Sequence, residues 1–473
     1  MNRRIPKAKN SPTWIPSFAG MTVIMIFAAT LALTACGLEK PGTPLEHYRP
    51  VVVPKTFDAV MAARRDDGVL RAGVKVVDVT PRDRNCWMAG FNQMRKSEGI
   101  LDPINARIVF LDDGREAVVL IALDFVGLLN YDVNRLRALI TEKHQRRIQI
   151  ASTHNHEGPD PMGYWGPGLL VPYQSGVDQE WLDKSLQEIA IGVNEAIASA
   201  QPVRLAIGET LVEKYLSDNI WFAPGEGPND RRMSVIRLEK LDGAPLATIV
   251  NWACHAETLL NNHLLSADFP GRVCGYVAKK GGGTGVFFNG ALGGMISAYI
   301  CRFDHAKEYD ELPNRIAWMD RTGEKLAEYA MNAVAGAPRD EHPRIHLRSG
   351  DVFLPVKNKL LLLLAKRGIF PVPPEQRGSA TFHSEVGLLK IGGAWIAMTP
   401  GEPFPKLGMM LKDAMPYAKV PFVFGLTDDE LAYMMLPDQW DDEHYSYERS
   451  MSLGPQTAKL VYDGFVGLLA QEN

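Results

Sequence analysis

Short apolar runs rich in Val and Ile alternate with longer amphipathic stretches, from the run at 74–79 to the last amphipathic stretch at 455–469. Apolar runs of four to eight residues bounded by polar residues are typical of strands buried on both faces. The amphipathic stretches between them have the period of helices that pack on a sheet. The alternation therefore predicts an α/β fold, with a mixed β-sheet layered with helices.

The individual elements follow from the same pattern. The predicted strands are residues 74–79, 108–111, 117–124, 148–152, 246–252, 286–289, 395–399 and 420–424. The clearest predicted helices are residues 134–145, 181–199, 318–334, 404–414 and 455–469, the last two preceded by Pro or Gly punctuation.

The first 35 residues have a different composition from the rest. Four basic residues among the first nine precede an apolar run at 23–35, which ends directly before Cys36. This run is shorter than the ~20 residues that span a bilayer, and the pattern is typical of a bacterial lipoprotein signal. Cleavage before Cys36 would leave its thiol to carry lipid. The alternative is that Cys36 merely lies near an ordinary cleavage site.

These features predict a domain order and a location. Residues 1–35 are expected to be a signal peptide, 36–54 a Pro-containing tether, and 55–473 one large folded domain. The protein is then expected in the bacterial cell envelope, exported and lipid-anchored to a membrane. A formal charge of only -4, without a dominant run of Lys or Arg, argues against nucleic acid as a partner.

Polar clusters begin where four of the predicted strands end. The clusters are residues 153–159, 253–258, 400–402 and 428–433. In open α/β sheets, ligands bind outside the carboxyl ends of the strands. The sequence therefore predicts that these clusters converge on one pocket at the C-terminal ends of the strands.

The clusters contain the residue types of a catalytic zinc site, in which two imidazoles and a carboxylate leave one position open. His154 and His156 flank one residue, so in extended geometry both point to one face, where one can bind a metal and the other handle protons. His255 supplies the second imidazole. The alternative is that these are hydrogen-bonded loop histidines. An HNH nuclease is not indicated, because the triplet 154–156 lacks the basic surroundings of that motif.

Residues 152–159 resemble the histidine motif of the neutral, non-lysosomal ceramidases. The likeness continues in order along the chain and covers nearly all of it after the tether. Its further segments are 78–81, 102–107, 122–127, 251–255, 261–268, 400–402 and 433–455.

The resemblance implies a mechanism and a set of site residues. It implies zinc held by His154, His255, Glu402 and Tyr433. It also implies that His156 transfers protons or stabilises an oxyanion, and that Tyr447 is a further pocket residue. Zinc activates water and polarises a carbonyl, so the implied reaction is hydrolysis of an amide.

Two segments depart from the family pattern at the substrate end. Residues 292–297 lack the family's aspartate and place a serine, Ser297, one position late, which leaves Ser297 as a candidate catalytic residue. Residues 219–221 do not contain the arginine that the family has in the corresponding segment. The chain ends without room for the family's carboxyl-terminal β-domain, so the catalytic domain is expected to stand alone. Apolar runs at 360–364 and 369–374 could line a lipid groove, although core packing is commoner for such runs.

The sequence as a whole predicts a zinc-dependent hydrolase that acts on carbon–nitrogen bonds other than peptide bonds. The predicted substrate is a lipid-like small molecule, an N-acyl compound similar to ceramide. Hydrolysis of another amide or an ester is one alternative. A lipoprotein that binds lipid or sugar on the same scaffold without catalysis is another.

Overall fold

Two β-sheets packed face to face form the middle of the molecule. The computed structural model describes residues 51–81, 85–167, 175–298, 311–367 and 376–471. The predicted signal peptide, Cys36 and the apolar run 369–374 lie outside the described residues. The predicted domain order therefore stays a prediction.

The larger sheet has nine strands within the described residues, and parallel and antiparallel pairs are mixed in it. Its strands are β1 (Arg71–Asp78), β3 (Asn105–Asp112), β4 (Ala117–Leu123), β5 (Ile148–Ser152), β6 (Gln201–Leu211), β8 (Arg232–Lys240), β9 (Pro245–Trp252), β11 (Thr284–Asn289) and β13 (Arg339–Asp340). They follow the order β11-β9-β8-β6-β1-β3-β4-β5, with β13 paired to β6.

The smaller sheet has four strands in the order β14-β15-β16-β18. These are β14 (Ile345–Pro355), β15 (Thr381–Ile391), β16 (Ala394–Met398) and β18 (Val420–Phe424). Three two-stranded pairs complete the described strands: β2 (Gly99–Ile100) with β10 (Leu264–Leu265), β7 (Ser217–Asn219) with β12 (Ile296–Ala298), and β17 (Glu402–Pro403) with β19 (Tyr433–Met434).

Helices cover the outer faces of both sheets. They are α1 (Thr56–Ala62), α2 (Asn130–Ile140), α3 (Gln179–Ala198), α4 (Asp268–Lys279), α5 (Leu312–Ala335), α6 (Lys359–Lys366), α7 (Pro405–Asp413), α8 (Ser446–Met451) and α9 (Thr457–Ala470). Helices α2 to α5 pack on the large sheet, and α7 and α9 pack on the small sheet. The layers are helix, sheet, sheet and helix.

Strand β4 illustrates why the central strands are continuous apolar runs. Its residues Val118 and Leu120 pack between the two sheets, whereas Val119 and Ile121 pack against the helices. Successive side chains of a strand point to opposite faces, so a strand covered on both faces must be apolar at every position. The predicted α/β fold with a mixed sheet is confirmed, and the second sheet is an addition to it.

Several elements lack a simple apolar signature. Strand β8 carries Arg237 and Glu239 among its apolar residues, and both are buried. Glu239 is paired with Arg339 at 2.7 Å, so a partner distant in sequence satisfies a charge that interrupts the apolar run.

The helix predicted at 134–145 is shorter at its carboxyl end than expected. It ends at Ile140, and residues 145–147 form a separate 3₁₀ turn.

Helix α6 contains the apolar run at 360–364. Leu361 and Leu364 are buried, while Leu363 is 46% exposed, so one face of the run belongs to the core. Among the described residues, we find no helix with both the length and the apolar character to cross a membrane.

Arg137 joins the two sheets at the end of α2. Its side chain is 1% exposed and lies 3.0 Å from Glu385 on the small sheet and 2.8 Å from Asp428. It also donates to the carbonyl of Ile148, at the start of β5. Asp428 in turn accepts from the backbone N–H of Ile150. One guanidinium thus fixes the start of β5 against the segment that follows β18.

We predict that Arg137→Met destabilises the protein by about 3–5 kcal/mol, because it leaves the buried Asp428 without its counter-charge and removes the nearer of the two arginines beside Glu385. Urea unfolding followed by circular dichroism measures the change. Arg115→Met is the matched control, since Arg115 pairs with Asp66 at the surface and is 62% exposed. The control is expected to cost less than about 1 kcal/mol. Equal effects of the two substitutions would contradict the role of Arg137.

Candidate metal centre

The segments after β5 and β9 run side by side in the structure. Asn155 and Ala256 form an isolated parallel bridge, although β5 and β9 lie toward opposite ends of the strand order of the large sheet. In a parallel bridge, the residues that flank the two paired positions also lie side by side. The bridge therefore sets His154 beside His255, and it sets His156 beside Glu257.

Backbone carbonyls hold the first two imidazoles. His154 Nδ1 lies 2.7 Å from the Val126 oxygen, and His255 Nδ1 lies 3.0 Å from the Ile296 oxygen. A carbonyl only accepts, so each Nδ1 carries the proton and each Nε2 presents a lone pair. Metal-binding histidines typically donate the N–H of the second ring nitrogen to such an acceptor. His154 also has a φ of 61°, a left-handed conformation that is uncommon for a residue with a side chain.

Glu402 completes a cluster with these two imidazoles. Its Oε2 lies 3.4 Å from His154 Nε2 and 3.2 Å from His255 Nε2. The Oε2 atom and His255 Nε2 are buried and lack a hydrogen-bond partner among the described residues. Three ligand-type atoms thus meet at one buried point.

Tyr433 reaches the cluster through the short parallel pair of β17 and β19, in which it lies opposite Glu402. Its ring centroid is 6.5 Å from that of His255, and its hydroxyl donates to Met295 Sδ at 3.5 Å. Tyr447 is next to it, with ring centroids 5.9 Å apart. The pairing of the two-residue strands therefore brings Tyr433 to the site, and Tyr447 on α8 packs against it.

Ser297 lies beside His255, because the two residues form an isolated parallel bridge. Its hydroxyl is buried and has no hydrogen-bond partner among the described residues. The structure thus brings this candidate to the edge of the histidine cluster. All seven candidates of the predicted pocket lie in this one region: His154, His156, His255, Ser297, Glu402, Tyr433 and Tyr447.

Burial disfavours charge in the cluster. It lowers the pKa of His154 to about 4, against the attraction of Glu402. It raises the pKa of Glu402 to about 7, against the attraction of His154. A divalent cation at this point would favour the ionised carboxylate and the neutral imidazoles, which is the protonation state that metal binding requires.

His156 completes a group of three histidines that could hold a metal ion, with ligand atoms within 4.8 Å of one another. Its ring centroid lies 4.8 Å from that of His154. Unlike the other two, neither of its ring nitrogens has a hydrogen-bond partner within the described ranges. The donor set and the unpartnered atoms fit a metal ion, without fixing which ion it is.

Sequence reasoning missed two pairings at the site. Glu257 lies beside His156, at the same spacing from His255 as His156 has from His154. Trp221, in the segment that lacks the expected arginine, donates from Nε1 to Glu448 Oε1 at 2.6 Å. Only the pairing of Glu257 with His156 had a signal in the sequence, because each of the two residues follows a candidate ligand after one intervening residue.

No protein-family model matches the chain. Its fold is similar to the crystal structure of neutral ceramidase from Pseudomonas aeruginosa, with a TM-score of 0.68 and 18% sequence identity over 86% of this chain and 75% of that one. A ceramidase complexed with C2 gives a TM-score of 0.67 and 17% identity, over 85% and 76% of the two chains.

Two curated proteins are similar in sequence. Neutral ceramidase B of Dictyostelium discoideum is 23% identical over 267 residues, which is 52% of this chain. Neutral ceramidase A of the same organism is 23% identical over 269 residues, or 53% of this chain. The match spans 36% of the length of each relative, about a third.

The fold and the buried histidine cluster place the chain among layered α/β proteins with a metal-type site at the strand ends. More narrowly, the chain has the fold of the neutral ceramidases, and the resemblance that the sequence motifs predicted is confirmed.

We predict that the purified protein binds about one divalent metal ion per chain, and that His154→Ala and His255→Ala each abolish this binding. Elemental analysis measures the metal content. His156→Ala is expected to retain the ion, because His156 is assigned to proton handling. His263→Ala is the surface control, since its side chain is 47% exposed. Retention of metal by both His154→Ala and His255→Ala would contradict the assignment.

Proposed function

We propose that this chain is a metal-dependent hydrolase that cleaves the amide bond of N-acyl lipids similar to ceramide. The observation that carries the proposal is the meeting of His154 Nε2, His255 Nε2 and Glu402 Oε2 on a neutral ceramidase fold. The names of the similar proteins support the choice of bond and substrate class.

Zinc is the ion we propose, held by His154, His255, Glu402 and Tyr433. Two imidazoles and a carboxylate are the ligand type of catalytic zinc, and with the Tyr433 oxygen as a fourth ligand a fifth position would admit water. Bound there, zinc would supply a Lewis acid for the amide carbonyl and lower the pKa of a coordinated water toward neutrality.

Residues of the chain assist the steps of the hydrolysis. Water adds to the amide carbonyl carbon, the carbon–nitrogen bond breaks, and the leaving nitrogen takes a proton, which yields a carboxylate and an amine. His156 is the group we assign to this proton transfer, since its ring nitrogens are unpartnered and next to the cluster. We assign the orienting of the carbonyl to the hydroxyls of Tyr447, which packs on Tyr433, and Ser297, which lies beside His255.

The substrate end supports a second candidate, hydrolysis of a different amide or of an ester. Trp221 occupies the segment that lacks the family's arginine, and it contacts Glu448 instead. Burial raises the pKa of Glu448 to about 8, so this carboxyl is largely neutral at pH 7. This segment thus carries an indole N–H paired with a carboxyl where the family has a cation, which favours a substrate whose polar groups differ from those that an arginine would bind.

The cellular setting is proposed from the sequence alone. A lipid anchor at Cys36 would hold the protein on a membrane of the bacterial envelope, where lipid substrates are present. This proposal is independent of the site chemistry.

We predict that the full-length protein in detergent releases fatty acid and amine from N-acylsphingosine, measured by mass spectrometry. His156→Ala is expected to lower kcat by about 10²–10⁴-fold while the metal stays bound, because it removes the proton-transfer group. Chelation is expected to abolish the activity, and added zinc to restore it.

The control for this experiment is His263→Ala, which should leave the rate unchanged. Turnover of an ester, or of an amide unrelated to ceramide, with N-acylsphingosine untouched would favour the second candidate. Binding of lipid or sugar without turnover of any substrate in the panel would instead support a non-catalytic scaffold.

A further inference from the structure

The parallel bridge at Asn155 and Ala256 arranges the site in two rows. The first row is His154 with His255, whose Nε2 atoms meet at Glu402. The second row, two residues further along both segments, is His156 with Glu257. The second row repeats the geometry of the first with a carboxylate in place of one imidazole.

Glu257 is fully buried, and its Oε2 lies 3.6 Å from His156 Nδ1. A carboxylate at this place can accept a hydrogen bond from an imidazole N–H. The adjacent Glu157 does not serve His156 in this way, because its Oε2 lies 3.0 Å from Arg95 and accepts from Asn262 at 2.7 Å.

The ring of His156 is held in place by its neighbours. The Phe91 ring packs against it in a T-shaped arrangement, with centroids 5.3 Å apart. Gly90 also contacts the His156 ring, and a Cβ at this position would come within 2.6 Å of the ring. Gly90 has a φ of 77°, which also favours glycine there. The backbone N–H of His156 donates to the Ala256 oxygen at 2.9 Å. The position of the ring is therefore fixed by packing.

Packing fixes the ring but leaves open which nitrogen carries the proton. For His154 and His255 a backbone carbonyl decides this, whereas His156 has no such carbonyl partner in the described part of the chain. The hydrogen bond made by one ring nitrogen sets the state of the other. The carboxylate facing Nδ1 is that of Glu257.

We propose that Glu257 is a positioning residue for His156. Its carboxylate accepts the Nδ1–H of His156 when the Glu257 side chain moves from 3.6 Å to hydrogen-bond distance, and the Nε2 lone pair then faces the reacting atoms. Glu257 thus acts through His156 and does not bind the metal. The proposal rests on the proposed function for its kinetic consequence, but the proton position on His156 does not depend on the substrate.

The kinetic experiment compares Glu257→Leu with Glu257→Gln, which keeps an acceptor oxygen. Glu257→Leu is expected to lower kcat by about 10–100-fold, with KM within about twofold and metal content unchanged. Glu257→Gln is expected to recover most of the loss. Thr258→Val is the matched control: it removes the hydroxyl that donates to Asp268 on the same loop, and kcat should stay within about twofold.

Loss of metal in Glu257→Leu would overturn the proposal by making Glu257 part of the metal shell. An unchanged kcat, or an equal loss in the Thr258→Val control, would also overturn it. Thermal unfolding of each variant verifies that it is folded.

A spectroscopic experiment tests which ring nitrogen of His156 carries the proton, even if no substrate is turned over. Protein labelled with ¹⁵N-histidine and loaded with zinc gives ring nitrogen shifts that report the protonated nitrogen, and His156→Ala assigns the signals. The expected result is a proton on Nδ1 in the wild type and a change of tautomer in Glu257→Leu. The same tautomer in both proteins would overturn the proposal. Absence of turnover with the expected spectra would reject the proposed function alone.

Discussion

The parallel bridge between Asn155 and Ala256 is the contact on which the arrangement of the site depends. It joins the ends of two strands that are not neighbours in the large sheet, and it fixes their register. A slip of one residue in this register would separate His154 from His255 and His156 from Glu257. Asn155 reinforces the register, since its side-chain amide donates to the backbone oxygens of Asp124 and Ser266.

The two-sheet core makes this register rigid. The apolar faces of the sheets share one core, and the strands that carry the site end at its edge. Arg137 and Asp428 tie the start of β5 to the segment after β18, so the smaller sheet is held against the larger. Glu402 and Tyr433 come from that smaller half of the structure. The site is therefore assembled across the interface of the two sheets, on elements that packing holds still.

Much of the fold was predictable because its central strands are buried on both faces, which leaves an apolar run that sequence inspection detects. Strand β8 was less visible, since Arg237 and Glu239 interrupt its run and find partners only in the folded chain. In the site, the positions of His154 and His255 after strands were readable from sequence. The closeness of Trp221 to Glu448 was not, because 227 residues separate them.

The sequence by itself determined the layered α/β class, the strands that precede the polar clusters, and the residue types available for metal chemistry. It did so because local periodicity and strand ends are properties of short segments. Only the tertiary structure decided that Glu402 meets both imidazoles, that Tyr433 lies opposite Glu402, and that Glu257 lies beside His156. These are contacts between distant segments, and their register is set by the packing of two sheets that no local pattern encodes.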